Sequence, residues 1–316
     1  MIAKSWIFCY HISMTLYTQK SANIRKTWLL MSIFFGVVIA IGWAFSQVYH
    51  NPGILYFAVV FSIGMNVISY WFSDKIVLAL HHAEPVDMKT NPELYRILEN
   101  LSIAAGIPMP KLYMIPDDTP NAFATGRNAQ HAVVCVTEGL LRMLDRSELE
   151  GVLSHELSHI GNRDMLVSTV AVVLVGMLSI LSDVFMRSLW FGGGRRRDNE
   201  EGGGILIIVG IALSILAPIF ATLIQLAISR RREFLADTSG ALLTRYPDGL
   251  ISALQKIGSY TRPLQTATNA TAHLFFENPF GADRPDAERK TSWLIKLFST
   301  HPPIEERIRA LRDMPK

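Results

Sequence analysis

The feature that most constrains this chain of 316 residues is a long stretch without charge. Between Lys26 and Asp74 there is no Asp, Glu, Lys or Arg. A helix needs about 20 predominantly apolar residues to cross the hydrocarbon core of a bilayer, so this stretch is long enough for two helices. Residues 51–53 read Asn-Pro-Gly, which is a turn signal near its middle. We therefore predict two membrane spans, at about 27–48 and 54–73.

A second pair of uncharged runs follows, at 165–182 and 205–229. A loop between them, 183–204, is rich in glycine and charge, which is typical of a flexible linker. The pair predicts a second transmembrane hairpin over 165–229. A buried core helix is the alternative for the first of these runs, because 18 residues is near the lower limit for a span.

The distribution of basic residues predicts the orientation in the membrane. Three basic residues lie shortly before the first hairpin, 27–73, and its connecting loop, 49–53, has none. Positive charge favours the cytoplasmic side, so the N-terminal segment 1–26 is expected there. Two soluble parts, 74–164 and 230–316, then lie on the same side. The arginines of the second hairpin's loop oppose this rule, which makes that hairpin the weaker prediction.

Composition excludes several classes of function. The net charge of +3 comes with no basic stripe, so no nucleic-acid partner is expected. Two cysteines do not make a disulfide framework. The apolar runs hold no paired charges of the kind that transport sites use, which argues against a transporter.

The soluble parts predict an α+β fold that is mostly helical. Asn91 followed by Pro is a helix start, and the helix is expected to end near Gly106. Short strands are predicted at 111–115, 121–125 and 132–137. Further helices are predicted from about Asp248 and over 303–313, and the segment 260–292, rich in Thr, Asn, Pro and Gly, is predicted to be a mobile loop.

The sequence His-Glu-Leu-Ser-His at 155–159 carries the strongest chemical signal. A capping box at Ser147 and Glu150 predicts a helix over 147–161 that contains it. On a helix, His155 and His159 lie one turn apart on the same face, so both imidazoles can bind one metal ion. Glu156 borders that face and can reach a metal-bound water without binding the metal.

A third ligand is expected from the segment that follows the second hairpin. Glu233 and Asp237 lie one helical turn apart there. Two imidazoles and the Glu233 carboxylate suit zinc, with the fourth position open for water. Asp237 can then hydrogen-bond a ligand histidine and hold its ring. The alternative is an ordinary exposed acidic pair after a basic cluster.

These motifs together resemble the HtpX-type heat-shock membrane proteases, which are relatives of the CAAX prenyl endopeptidases. The resemblance covers about 14–316. Its matching pieces are Asn-Ala-Phe-Ala-Thr-Gly at 121–126, His155 to His159, Glu233 to Asp237, and Ser-Thr-His-Pro-Pro-Ile at 299–304 with Glu306 and Arg307. The family implies a membrane-embedded zincin with two transmembrane helical hairpins and a small β-sheet beside the HExxH helix.

The resemblance also implies a role for particular residues. It makes His155, His159 and Glu233 the ligands of one Zn²⁺ ion. Glu156 becomes the general base that takes a proton from water and passes it to the leaving amine. Asn121 is implied to hold the substrate backbone beside an edge strand, which fits the way that proteases bind peptides as an added strand. A turn residue is the alternative for this Asn.

His301 and Arg307 resemble a pair near the metal that steadies the developing oxyanion. The alternatives are a histidine at a helix start before proline and a solvated arginine.

The implied function is a zinc endopeptidase that cleaves misfolded or damaged membrane proteins in membrane quality control and the stress response. It would lie in the bacterial inner membrane, with the lipid bilayer and its unfolded substrates as partners and the active site facing the cytoplasm. Two alternatives stay open from the residues. One is a zinc-stabilised membrane scaffold or chaperone-like protein without proteolysis. The other is a zinc hydrolase of a non-peptide bond.

Overall fold

The computed structural model describes residues 2–48, 50–192, 230–267, 271, 274–279 and 302–314. The described part is mostly helical with one small sheet, which confirms the predicted mostly helical α+β fold class. The helices are α1 (Ile2–Val48), α2 (Gly53–Trp71), α3 (Ser73–Leu80), α4 (Pro92–Ala105), α5 (Glu138–Met143), α6 (Arg146–Asn162), α7 (Asp164–Gly192), α8 (Arg230–Thr244), α9 (Pro247–Gly258) and α10 (Ile304–Arg312). The strands are β1 (Glu84–Val86), β2 (Lys111–Ile115), β3 (Ala122–Gly126) and β4 (Ala132–Thr137), and a 3₁₀ turn spans Ala129–His131.

Helices α1 and α2 are each long and apolar enough to cross a membrane, over Ser21–Gln47 and Gly53–Trp71. The predicted N-terminal segment 1–26 is continuous with the first of these spans, because α1 begins at Ile2. Large apolar side chains point outward from both helices, as lipid contact requires. They include Trp28, Leu29, Trp43, Tyr56, Phe57, Val60 and Ile63.

The third apolar run forms the first part of α7, and its early residues are buried rather than outward-facing. Leu166, Val170 and Leu174 pack against the hairpin of α1 and α2. The prediction that a loop begins at 183 is wrong, because α7 continues to Gly192. A bend of 84° separates α6 from α7, and the two together count as a third span only if this bent pair crosses the membrane as one. Residues 193–229, with the predicted fourth run, lie outside the described residues.

The sheet has the order β1-β2-β4-β3. Strands β2 and β4 are parallel, whereas β1 pairs with β2 and β3 pairs with β4 in antiparallel fashion. Strands β2 and β4 have their predicted bounds, β3 is shifted by one residue from 121–125, and β1 was not predicted. Helix α4 begins and ends as predicted, since Asn91 accepts the Leu94 N–H and Gly106 has a φ of 66°. The sheet order leaves β3 at an edge, beside α6.

The start of the HExxH helix differs from the prediction. The Ser147–Glu150 capping box is wrong, because Asp145 caps α6 and exchanges hydrogen bonds with Glu148. Asp145 rather than Ser147 caps the helix because further contacts hold Glu148, the partner of Asp145 in the capping box. Its carboxylate also accepts hydrogen bonds from the Ser252 hydroxyl at 2.5 Å and the Lys256 ammonium at 2.7 Å. The cap therefore ties the start of α6 to α9.

Helices α6 and α8 cross in close contact at Gly240. A Cβ atom on Gly240 would lie 2.9 Å from the His155 backbone nitrogen and 3.0 Å from the Ser154 hydroxyl oxygen. Such a distance is shorter than a carbon–nitrogen van der Waals contact, so a side chain there pushes the helices apart. Gly240 thus sets the depth at which α8 approaches the helix of the HExxH motif.

We predict that Gly240→Ala lowers the free energy of unfolding by about 1–3 kcal/mol, as overpacked substitutions do, and weakens metal binding. The matched control is Gly161→Ala on α6, where a Cβ meets nothing within 4 Å and alanine favours the helix by about 0.5–1 kcal/mol. Thermal unfolding in detergent and metal titration against a chelator measure both effects. Equal stability and metal affinity in the two variants would contradict the close crossing.

Candidate metal centre and active site

Helices α6 and α8 bring His155, His159 and Glu233 together. One ligand atom from each of the three lies within 4.8 Å of the others. The two imidazole Nε2 atoms are 3.1 Å apart. The Glu233 carboxylate oxygens lie 3.7 Å from His155 Nε2 and 3.7 Å from His159 Nε2. The close crossing at Gly240 makes this possible, because Glu233 lies two turns before that glycine on α8.

Two carboxylates fix the outer nitrogens of the ligand rings. His155 Nδ1 lies 2.9 Å from Asp237 Oδ1, and His159 Nδ1 lies 3.1 Å from Asp164 Oδ2. A proton on each Nδ1 leaves the lone pair on each Nε2 pointing at the common centre. Carboxylate–histidine pairs of this kind orient metal ligands and raise their basicity. Both rings are therefore oriented with Nε2 towards the common centre.

Asp164 is a residue of the candidate site that the sequence did not indicate. It begins α7 directly after Arg163, whose φ of 57° forms the sharp junction with α6. Besides His159, its carboxylate accepts a hydrogen bond from the Asn23 amide at 2.5 Å and lies 3.4 Å from Arg232. An acid five residues after His159 on a continuous helix would not face that histidine. The bend between α6 and α7 brings Asp164 to His159, and the spacing of residues in the sequence does not predict this bend.

The electrostatic environment gives the two histidines very different pKa values. Burial lowers the pKa of His155 to about 4, despite the opposing effect of Asp237. Burial acts in the same sense on His159, but the Asp164 hydrogen bond and the Glu233 charge outweigh it and raise that pKa to about 9. His155 is thus neutral at neutral pH, as a ligand must be, and a metal at His159 displaces a proton.

The donor set fits zinc. Four-coordinate zinc has ligand bonds of about 2.0–2.2 Å, which place two ligands of a tetrahedron roughly 3.3 Å apart. The Nε2–Nε2 distance of 3.1 Å and the two nitrogen–oxygen distances of 3.7 Å lie close to that separation. The side chains are buried or nearly so, and Glu156 lines the adjoining cavity next to them. Three protein ligands and a neighbouring carboxylate match an open catalytic site.

Arg307 lies behind Asp237 and does not line the cavity. Its Nε and Nη2 atoms donate to the two Asp237 oxygens at 2.8 and 2.7 Å. The pair is fully buried, and the guanidinium outweighs the effect of burial and lowers the pKa of Asp237 to about 2. Arg307 thus reaches His155 through Asp237, and its expected role towards an oxyanion stays a prediction. His301, its expected partner, lies outside the described residues.

Asn121 lies directly before the edge strand β3 and is buried. Its side-chain amide faces the backbone of Glu277: Nδ2 donates to the carbonyl oxygen at 2.9 Å, and Oδ1 accepts the Glu277 N–H at 3.2 Å. The side chain therefore binds the backbone of another segment of the same chain, and its implied role towards a substrate stays a prediction.

The fold and the site together define a membrane metallopeptidase. A helix with two histidines and a glutamate lies beside an edge strand, and a membrane hairpin packs next to it. The chain belongs to peptidase family M48, whose sequence profile matches residues 88–315. The predicted resemblance is thereby confirmed.

Individual relatives agree with this assignment. A "Protease HtpX homolog" from Caldanaerobacter subterraneus is 48% identical over 305 residues, which cover 95% of this chain and 98% of that protein. Another from Pyrococcus furiosus is 48% identical over 292 residues, covering 92% of this chain and 95% of the relative. The crystal structure of S. mikatae Ste24p is similar in fold, with a TM-score of 0.51 and 18% identity, and the match covers 95% of this chain and 67% of that one.

We predict that Asp164→Asn weakens zinc binding about 10- to 100-fold, because the loss of a carboxylate behind a ligand histidine has that cost. The control is Asp118→Asn, whose side chain is 77% exposed. Zinc competition against a fluorescent chelator measures both variants. An unchanged zinc affinity in Asp164→Asn would refute its role behind His159.

Proposed function

We propose that this metallopeptidase is a zinc-dependent endopeptidase and that His155, His159 and Glu233 hold its zinc. The observation that carries the proposal is the convergence of three ligand side chains, two buried and one half-buried, beside Glu156 in one cavity. When bound, zinc polarises the scissile carbonyl and lowers the pKa of a water towards 7. The remaining steps belong to side chains of this chain.

Glu156 is proposed as the general base. It follows His155 on α6 and lines the cavity without belonging to the ligand group, so its carboxylate can take the proton of a water and later protonate the leaving amine. Asp237 and Asp164 keep the two imidazoles in place through the reaction. Asn121 and the edge of β3 are proposed to hold an extended peptide next to this cavity, and the bond of Asn121 to a backbone carbonyl supports this.

The cellular setting follows from the membrane hairpin. We propose a multi-pass protein of the bacterial inner membrane whose active site faces the cytoplasm. The outward apolar faces of α1 and α2 support a place in the bilayer, and the basic residues before the first span support the orientation. The Asn23–Asp164 hydrogen bond connects the site to the start of that span, so cleavage takes place at the membrane surface.

We propose damaged or misfolded membrane proteins as the substrates. The proposed roles are membrane quality control and the stress response. An active site at the bilayer surface can reach the segments that such proteins expose there. Relatives named "Protease HtpX homolog" support proteolysis. The alternative is a zinc-stabilised scaffold, which binds zinc but does not cleave proteins. A measurement of cleavage therefore distinguishes the protease from the scaffold.

We predict that Glu156→Gln keeps a full zinc load and loses cleavage of an unfolded protein about 10²- to 10⁴-fold, the usual contribution of a general base. Glu150→Gln on the same helix is the control, because this carboxylate is part of a surface pair with Arg146 and is remote from the cavity. Zinc content and casein cleavage are measured in detergent. Zinc-loaded wild type without activity would favour the scaffold, and full activity in Glu156→Gln would exclude this base.

A further inference from the structure

A short segment of this chain lies along the edge strand β3. The Phe276 N–H donates to the Ala122 carbonyl at 2.7 Å. The next residue, Glu277, exchanges two hydrogen bonds with the Asn121 side chain, at 2.9 and 3.2 Å. An edge strand offers unpaired backbone groups to a further chain, and an added peptide uses such groups. Phe276 uses one of these groups here, and Glu277 binds the side chain of Asn121 directly before the strand.

The other polar and apolar groups of Phe276 are also bound. Its carbonyl accepts a hydrogen bond from Arg307 Nη1 at 3.1 Å. Its ring packs edge-on against the His155 ring, with centroids 5.0 Å apart, and lies 4.7 Å below the Arg307 guanidinium carbon. The side chain is 1% exposed. One residue thus contacts the edge strand with its N–H, an arginine with its carbonyl and a proposed zinc ligand with its side chain.

The neighbouring Phe275 anchors the segment in the core. Its ring packs against Phe123 of β3 and against His81, with centroids 5.2 and 5.1 Å apart. Leu274, Phe275 and Phe276 all line the cavity at the ligands. Because Phe276 both lines this cavity and bonds the edge of β3, it takes up space beside the proposed ligands that a peptide bound along β3 would need.

We propose that Phe276 and Glu277 occupy the position of two substrate residues, so that the enzyme covers its own peptide-binding edge and a substrate must displace this segment. The inference rests on the proposed function and names its substrate class. The site takes an extended peptide with a large apolar side chain where the Phe276 ring now packs. Asn121, assigned to substrate binding by the family resemblance, here binds Glu277 instead.

Competition of this kind selects among substrates. The apparent affinity of a ligand falls by the fraction of protein in which its site is open. A folded protein keeps its apolar segments buried and cannot offer an extended strand, whereas an unfolded membrane segment offers both the backbone and the apolar side chain. The internal segment therefore raises the affinity for the open site that a substrate needs in order to bind.

The direct test is the binding of a fluorescein-labelled peptide, Leu-Phe-Phe-Glu-Asn-Pro, to full-length zinc-loaded protein in detergent. Three forms are compared: Glu156→Gln alone, with Phe276→Gly, and with Phe276→Leu. The expected result is binding about 10-fold tighter with Phe276→Gly, because the internal competitor loses its ring. Phe276→Leu keeps a large apolar side chain and should stay within about 3-fold of the parent. Equal or weaker binding with Phe276→Gly would mean that the segment is a wall of the site, and would overturn the proposal.

Hydrogen exchange of Glu156→Gln provides a test that does not depend on whether Phe276→Gly folds. Saturating unlabelled peptide should release the Phe276 and Glu277 amides from Ala122 and Asn121, and so increase their exchange at least about 10-fold. Unchanged protection at these amides under saturation would refute displacement. Both readouts are independent of cleavage. A wild type that holds zinc and cleaves nothing would therefore count against the proposed function and not against this inference.

Discussion

The close crossing of α6 and α8 at Gly240 is the contact on which the rest of the site depends. It lets the α8 backbone reach the backbone of His155, and two turns earlier it brings Glu233 within 3.7 Å of both ligand nitrogens. The same helix carries Asp237, one turn after Glu233, to the outer face of the His155 ring. Because these positions share one rigid element, a change in the crossing moves the third ligand and the orienting carboxylate together.

A second set of contacts joins this site to the membrane. Asp164 begins α7 after a bend of 84° and bonds both His159 and Asn23 of the first membrane helix. Three polar partners on a buried carboxylate offset its cost of leaving water. The early part of α7 then packs on the membrane hairpin through Leu166 and Val170. The candidate metal centre is therefore held against the base of the hairpin, which supports the proposed position of the active site at the bilayer surface.

Local rules predicted much of this arrangement, and long-range contacts explain the rest. The cap at Asn91, the positive φ at Gly106 and the one-turn spacing of His155 and His159 are properties of a few adjacent residues. The cap of α6 was misassigned because two boxes fit the sequence, and only the distant Ser252 and Lys256 favour Asp145. The sequence does not indicate Asp164 or Phe276 either, because their contacts with the site also depend on the tertiary structure. One depends on a bend, and the other belongs to a segment with no periodicity, which reaches the site from more than a hundred residues away.

X-ray absorption at the zinc K edge tests directly the proposal that two histidines and Glu233 bind a catalytic zinc. Measured on purified wild type and Glu233→Ala, it reports the ligand atoms themselves. The account predicts about four nitrogen and oxygen ligands at roughly 2.0–2.2 Å, with an imidazole signature and no sulfur. It further predicts that Glu233→Ala loses most of its bound zinc. A sulfur ligand, or an unchanged spectrum and zinc load in Glu233→Ala, would contradict the account.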